Sequence, residues 1–289
     1  METVGFVGPG KIGLPICANL IKSGYRVLGS SLAELEKVGG VPARSPAEIA
    51  AQADIVFSCL PSSEALDEVV QGPNGLIKAA HAGQIIVELG SHPVEHKEQY
   101  IAPLADKGAV FLDGEVSGTP GMVAARKAVI YLAGDKDAFA KVERVIGAFA
   151  DSYLYFGRFG AASRVKWVNN LLVAIHLAAA AEAMALGLKA GVDVDLMIKA
   201  IASGSGGSTQ FAIRAPWMAQ RRFLPAQGTA PALQHYFDMI GHFADSMGIA
   251  TPMLDRAVEL YDKLVQMGLG ESDVAAMVDV VAALPRAKP

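Results

Sequence analysis

In the first half of the chain, short apolar runs alternate with stretches whose apolar residues recur at helical spacing. TVGFVG (residues 3–8) is a strand candidate. KIGLPICANLIKSG (11–24) follows with helical periodicity and ends in glycine, a stop signal for a helix. YRVLGS (25–30), ADIVFSCL (53–60), QIIVEL (84–89), AVFLDGEV (109–116) and KAVIYLAG (127–134) read as further strands. Strands alternating with helices imply βαβ units and a mainly parallel sheet. Nearly continuous apolar strands fit a sheet covered on both faces.

The pattern changes after about Tyr155. FGRFGAAS (156–163) is a glycine-rich joint, and beyond it nearly everything has helical periodicity. Breaks fall at SGSGGS (203–208), RFLPAQGTAP (222–231) and GIATP (248–252). The expected organisation is an α/β domain over residues 1–162 and an all-helical domain over 163–289, joined by a long inter-domain helix that starts near Ser163.

Composition narrows the function classes. Hydrophobic residues make up 52% of the 289 and charged residues 19%, which favours a well-buried globular protein over a disordered one. The net charge is −4 with no strongly basic block, and phosphate binding by a nucleic-acid partner needs a cationic stripe. Cys17 and Cys59 each sit in an apolar run and read as buried free thiols. No cationic segment followed by an apolar stretch precedes the first strand, so a cytoplasmic protein is expected. The oiliest segment, Leu171 to Ala190, is interrupted by His176 and Glu182 and preceded by Lys166, Asn169 and Asn170, which fits a core helix better than a membrane span. Its apolar surface from Leu171 to Leu188 exceeds what one partner domain needs, so a homodimer or homotetramer is expected. The histidines show no metal-ligand spacing, and no metal is expected.

Gly8-x-Gly10-x-x-Gly13 follows the first strand and opens a helix, the context of a dinucleotide fingerprint. Gly8 permits the tight turn, Gly10 lets the pyrophosphate approach, and Gly13 lets helix and sheet pack closely. The helix N-terminus offers N–H groups to the phosphates, so Gly8, Pro9, Gly10, Lys11, Ile12 and Gly13 form the candidate cofactor turn. The second strand ends Gly29-Ser30-Ser31-Leu32, with neither the acid that holds an NAD ribose nor an arginine for a 2′-phosphate. Ser30 and Ser31 can donate to such a phosphate. NAD or NADP both fit, and the missing carboxylate favours NADP.

The segment RVKWVNNLLVAIHLAAAAEAM (164–184) places Lys166 and Asn170 four apart, on one helical face at the front of an oily helix. An ammonium and an amide there are costly unless they are used. A partly desolvated lysine has a pKa lowered toward working pH, which suits it to proton transfer. Asn170 can hold a substrate oxygen, while Asn169 points about a hundred degrees away and reads as structural.

Together these stretches resemble the β-hydroxyacid dehydrogenase family, of which 3-hydroxyisobutyrate dehydrogenase is the best-known member. The resemblance spans essentially the whole chain. GFVGPGKIGLPICANLIKSGYRV looks like the family's cofactor motif, and CLPSS and GPNGL like the segments after its adenine-side strands. DGEVSGTPGMVAARKAVIYLAGD looks like its substrate motif, and GAASRVKWVNN like its catalytic motif. The resemblance implies a Rossmann domain, a connecting helix and a helical domain that dimerises. It gives Lys166 the role of acid/base and Asn170 that of substrate holder. Ser117, Gly118 and Thr119 fall in the substrate-carboxylate motif, Leu60, Pro61 and Ser91 on the cofactor side. The implied activity is NAD(P)-dependent interconversion of a small 3-hydroxyacid-like alcohol and its aldehyde or keto form.

Departures from the family pattern cluster at the substrate motif. Glu115 stands where the family has proline, Thr119-Pro120 where it has glycine, and Lys127 where another glycine is usual. His235-Tyr236 occupies the place of a lysine-aspartate pair whose lysine helps bind the substrate carboxylate. The substrate then lacks the usual carboxylate or bears a larger group, with Arg126, Lys127 or Arg214 as substitute cations. Two other readings remain open at this point: an imine reductase, which Lys166 argues against, and a non-catalytic dinucleotide sensor or interaction protein.

Overall fold

The computed structural model describes residues 1–30 and 33–285. The chain divides into two compact units, Met1–Lys166 and Trp167–Pro289.

The first unit holds strands β1 (Thr3–Val7), β2 (Arg26–Ser30), β3 (Val41–Ala43), β4 (Ile55–Ser58), β5 (Ile85–Glu88), β6 (Val110–Ser117), β7 (Val129–Ala133) and β8 (Ser152–Tyr155). Helices α1 (Gly13–Lys22), α2 (Ala33–Lys37), α3 (Pro46–Ala50), α4 (Ser63–Gln71), α5 (Val94–Glu98), α6 (Ile101–Ala105), α7 (Pro120–Ala124) and α8 (Lys136–Ile146) lie between them. The sheet runs β3-β2-β1-β4-β5-β6-β7-β8. Every neighbouring pair is parallel except β6 and β7. The order reverses direction between β1 and β4, and ligands of such sheets bind outside the carboxyl ends of the strands at that switch point.

Side chains alternate across the sheet with period two. Val4, Phe6, Phe57 and Val87 join Ile16, Leu20, Leu112, Val145 and Ile146 in one core. Val7, Val56 and Ile86 join Leu28, Ile49, Leu66, Tyr100 and Leu104 in the other. Burial on both faces explains why β4 and β5 are apolar throughout their middles. The two edge strands, β3 and β8, are only three and four residues long, which limits unpaired backbone at the edges.

Helix α9 (Ala161–Ala190) starts in the first unit and runs on as the first helix of the second, followed by α10 (Val194–Ser203), α11 (Thr209–Gln220), α12 (Ala230–Met247), α13 (Pro252–Gln266) and α14 (Met277–Ala283). Two of the three breaks read from the sequence, 203–208 and 248–252, contain caps, and a further break, outside those three, is capped by Asp193. Asp193 and Ser208 accept from the Leu196 and Phe211 N–H groups, and Gly248 ends α12 at φ 66°. Helix α9 is long and apolar enough, by length and composition, to cross a membrane. In the second unit it is a core element: Ala174, Leu177, Ala181 and Met184 are buried, Trp167 packs on Phe243 of α12, and the Tyr261 hydroxyl of α13 donates to the Ala174 carbonyl.

Candidate active site

The turn after β1 carries three glycines under three different constraints. Gly8 adopts φ +79°, and a Cβ there would lie 2.4 Å from the Cys59 carbonyl oxygen. At Gly13 a Cβ would meet Phe6 Cε1 at 2.5 Å, so only glycine lets α1 sit this close to β1. Gly10 faces open space, with nothing within 4 Å of an added Cβ. No side chain caps the start of α1, which leaves first-turn N–H groups for an anion. The turn therefore fits a dinucleotide pyrophosphate: a fold-constrained glycine on each side of one whose flank is open. Ser30, at the end of β2, accepts a long 3.4 Å hydrogen bond from the Gly8 N–H. Ser31, the other serine read as a cofactor contact, lies outside the described residues.

The carboxyl ends of β4, β5 and β6 gather polar side chains that are buried to an unusual degree. Ser58 donates to Glu88, and the Gly90 N–H reaches the other oxygen of the same carboxylate at 2.6 Å. His92 lies 3.5 Å from Glu88, and a Cβ on Gly90 would fall within 2.6 Å of both. Burial pushes the Glu88 carboxyl up, but His92, Lys97 and Ser58 outweigh it and the net shift is down.

A second network ties α5, β6 and α9 together. The Lys97 amine donates to Asp113 Oδ1 at 3.0 Å, the Ser163 hydroxyl at 3.1 Å and the Gly114 carbonyl at 3.3 Å. Asp113 also accepts from the Ser163 hydroxyl and from the Ser163 N–H, which fixes the first turn of α9. Burial drives the Lys97 amine down, and Asp113, Glu115 and Glu88 more than reverse it. Two residues along β6, Glu115 accepts from the Ser91 hydroxyl at 2.5 Å and lies 3.7 Å from Lys97. Burial holds the Glu115 carboxyl above its ordinary value, against the pull of Lys97 and Lys166.

One turn after Ser163 comes Lys166, 6% exposed, its amine donating to the Val116 carbonyl at 2.7 Å. Burial lowers its pKa, and Glu115 partly opposes the change. Lys166 thus stands beside the end of β6, where Ser117 and Gly118 follow. Thr119 accepts from the Met122 N–H as the cap of α7, with Pro120 in the first helical position. That explains the Thr-Pro pair locally: it starts a short helix.

The first unit therefore brings together the glycine turn, Ser30, Leu60, Pro61, Ser91, Ser117, Gly118, Thr119 and Lys166 at the carboxyl ends of its strands. Asn170 and His235 belong to the second unit. Asn170 is buried on α9, one turn beyond Lys166, and accepts from the Asn169 amide at 3.1 Å, so the two asparagines act as a pair. His235 is exposed on α12 with its ring against Tyr236. Of the substitute cations, Arg126 is engaged elsewhere: its guanidinium binds Asp151 at 2.7 Å and the Gly147 carbonyl at 2.7 Å. Arg214 is buried 3.3 Å from Asp273, and Lys127 is exposed.

Sequence reasoning missed Lys97, Asp113, Ser163, Glu88 and His92. Asp113 and Glu88 carried a signal, an acid within or at the end of an otherwise apolar strand. Lys97 carried none, since it stands among the charged residues of VEHKE. Among the described residues, no group of three His, Cys, Asp or Glu side chains is placed to hold a metal ion.

Residues 3–157 match the NAD binding domain of 6-phosphogluconate dehydrogenase, and residues 160–281 match the NAD-binding region of NADP-dependent 3-hydroxyisobutyrate dehydrogenase. L-Threonate dehydrogenase of Cupriavidus necator is 29% identical, with 96% of each chain covered. 2-(Hydroxymethyl)glutarate dehydrogenase of Eubacterium barkeri is 31% identical over 96% of this chain and 94% of that one. In structure, 3-hydroxyisobutyrate dehydrogenase from Salmonella typhimurium superposes with a TM-score of 0.85 at 23% identity, covering 97% of this chain and all of that one. An imine reductase from Myxococcus stipitatus is more distant, with a TM-score of 0.64 at 18% identity, covering 96% of this chain and 99% of that one. With a dinucleotide turn, a buried lysine one helical turn before a buried asparagine, and full-length relatives that are dehydrogenases, the chain belongs to the β-hydroxyacid dehydrogenase family, NAD(P)-dependent oxidoreductases acting on CH–OH groups.

Proposed function

We propose that this enzyme interconverts a small 3-hydroxyacid-like alcohol and its aldehyde or keto form, with Lys166 as the general acid/base. The observation that carries this reading is the Lys166 amine, buried at the end of β6 and depressed by that burial. Oxidation needs a base for the hydroxyl proton, and reduction needs an acid for the developing alkoxide. A desolvated lysine performs both, and while charged it also stabilises oxyanion character. Asn170, one turn on, holds the substrate oxygen. Ser117 and the backbone of Gly118 are the anion-binding groups, with Thr119 beside them, and His235 stands where the family pattern carries a carboxylate-binding lysine, for which it is a weaker substitute.

Residues 1–162 form the cofactor domain in this reading, and 163–289 the substrate and dimerisation domain. Gly8, Pro9, Gly10, Lys11, Ile12 and Gly13 hold the pyrophosphate, Ser30 and Ser31 the adenosine ribose, and Leu60, Pro61 and Ser91 the nicotinamide side. When bound, the dinucleotide supplies the hydride acceptor or donor. With Ser30 where an acid would select NAD, NADP is the preferred form. The functional unit is a homodimer or a pair of them, in the cytoplasm.

The test is a panel of semialdehydes, aldehydes and hydroxy acids assayed through the nicotinamide absorbance, for wild type and Lys166→Ala, with parallel fluorescence titrations of NADH and NADPH. Turnover of at least one hydroxy acid, lost about a hundredfold or more in the variant with cofactor binding kept, is expected. Full turnover in Lys166→Ala removes the lysine from the mechanism. Cofactor binding with no turnover of any compound favours a sensor.

A further inference from the structure

Glu115 has no assigned task, and its surroundings are informative. It is 1% exposed in the carboxyl-terminal half of β6, where the backbone pairs Glu115 with Tyr131 of β7. A buried carboxylate normally justifies its desolvation by completing an ion pair. Lys97 is the obvious partner, but an ammonium has three hydrogens. Asp113, Ser163 and the Gly114 carbonyl already take three donations at 3.0–3.3 Å. Glu115 stands off at 3.7 Å, and its Oε1 accepts no hydrogen bond among the described residues. Its other oxygen is fixed by Ser91, from the loop after β5. The hydrogen bonds that pin α9 are therefore complete without Glu115, which adds a longer-range attraction to Lys97 at 3.7 Å.

The next residue brings a second ammonium into its neighbourhood. The Lys166 amine is anchored on the carbonyl of Val116, immediately after Glu115. We infer that Glu115 is a positioning residue: held by Ser91, its carboxylate is the buried counter-charge that governs when Lys166 takes up and releases its proton. The inference rests on the acid/base reading of Lys166. In the oxidative direction, the neutral amine takes the alcohol's O–H proton, and a bound dinucleotide would supply the acceptor for the C–H electron pair as hydride. The lysine ends that step as an ammonium in a dry site, and the Glu115 carboxylate offsets the new charge. In reduction the same carboxylate favours the ammonium that must protonate the alkoxide.

The other titratable groups of the first unit around this pair do not take over that role. Cys59, from the loop after β4, has its thiol pushed up to about 12 by burial and is neutral at working pH. Asp113 on β6 is bonded to Lys97 and Ser163. Glu88 on β5 is held by Ser58, the Gly90 N–H and His92. Glu115 is the acid whose interaction with Lys166 opposes the effect of burial there.

The experiment compares pH profiles of kcat and kcat/KM for wild type, Glu115→Gln, Glu115→Asp and Lys166→Ala, with thermal melting and cofactor titration to verify folding. The limb assigned to lysine should vanish in Lys166→Ala. In Glu115→Gln it should move toward acid by about one pH unit, and Glu115→Asp should recover at least half of that shift. A limb unmoved or moved toward base in Glu115→Gln overturns the inference while leaving the lysine reading intact. A limb that persists in Lys166→Ala overturns the lysine reading, and this one with it. A measurement without substitution runs in parallel: carbon-13 signals of the Glu115 carboxyl and the Lys166 Cε should move with one common midpoint in wild type. Separate midpoints, with no step in the Glu115 signal at the lysine's, also overturn the inference.

Discussion

The Lys97 amine and the Asp113 carboxylate meet at 3.0 Å with both side chains wholly buried, and Ser163 closes the triangle. This contact joins α5 to β6 and, through Ser163, sets the first turn of the helix that carries Lys166. Removing one partner strands the other in a dry core. Lys97→Met should therefore cost about 3–5 kcal/mol in urea unfolding. In a double-mutant cycle with Asp113→Asn, the two changes together should cost less than their sum by about 1 kcal/mol or more. Additive costs would mean that the pair contributes no coupling.

The glycine turn separates fold from binding. Gly13→Ala drives a methyl into Phe6 and the Gly8 carbonyl, and should destabilise the first unit by about 1–3 kcal/mol. Gly10→Val meets no protein atom within 4 Å of its Cβ and should leave the melting temperature nearly unchanged. It fills the path of the pyrophosphate, so dinucleotide affinity should fall about tenfold or more in fluorescence titration. Unchanged affinity in Gly10→Val would move the cofactor away from this turn.

Much of this was legible in the sequence, for physical reasons that differ from residue to residue. The parallel strands announce themselves because β4 and β5 are buried on both faces and are apolar in all but their last residues, Ser58 and Glu88. The glycine turn is legible because Gly8 and Gly13 answer local steric demands at the spacing of a phosphate-binding turn, and Lys166 because an ammonium in an oily helix has few uses. β3 and β8 were not legible: three and four residues at the sheet edges need no periodic pattern, and Pro42 fits β3 only because it is an edge strand. Lys97 looks like any surface lysine until the fold folds it inward onto Asp113. Arg126 failed as a substrate anchor because the hairpin between β6 and β7 turns its guanidinium onto Asp151 and Gly147, partners 25 and 21 residues away.

Burial of Lys166 predicts how stability depends on pH. Its folded pKa lies below the ordinary 10.5 of the unfolded chain, so between those values the unfolded state binds more protons. The cost of burying the ammonium is fully present below the folded pKa and fades as pH rises toward 10.5. Lys166→Met, which keeps the length and drops the charge, should be more stable than wild type at neutral pH by about 1 kcal/mol or more. Followed by urea unfolding at a series of pH values, the gap should hold below the folded pKa and narrow above it, toward pH 10.5. A gap that is constant with pH would mean that the amine is not desolvated in the native state.

Helix α9 predicts the assembly. Val168, Leu172, Ala179 and Leu186 are exposed and spaced four, seven and seven apart, which aligns them along one side of the helix. Glu182 is the exposed charge near that line, so the face is apolar over most of five turns. A monomer that keeps such a surface in water leaves the hydrophobic gain of covering it unused, about 25 cal/mol for each Å². In a homodimer built on this side of α9, Leu172→Glu and Leu186→Glu each place a carboxylate in the contact and, combined, should convert the dimer to monomer at micromolar concentration. Light scattering after size exclusion reads the mass directly. Circular dichroism checks that the helices persist, since neither leucine belongs to the buried core. A double variant that remains dimeric would assign the interface to another face, and a monomeric wild type would rule out the assembly.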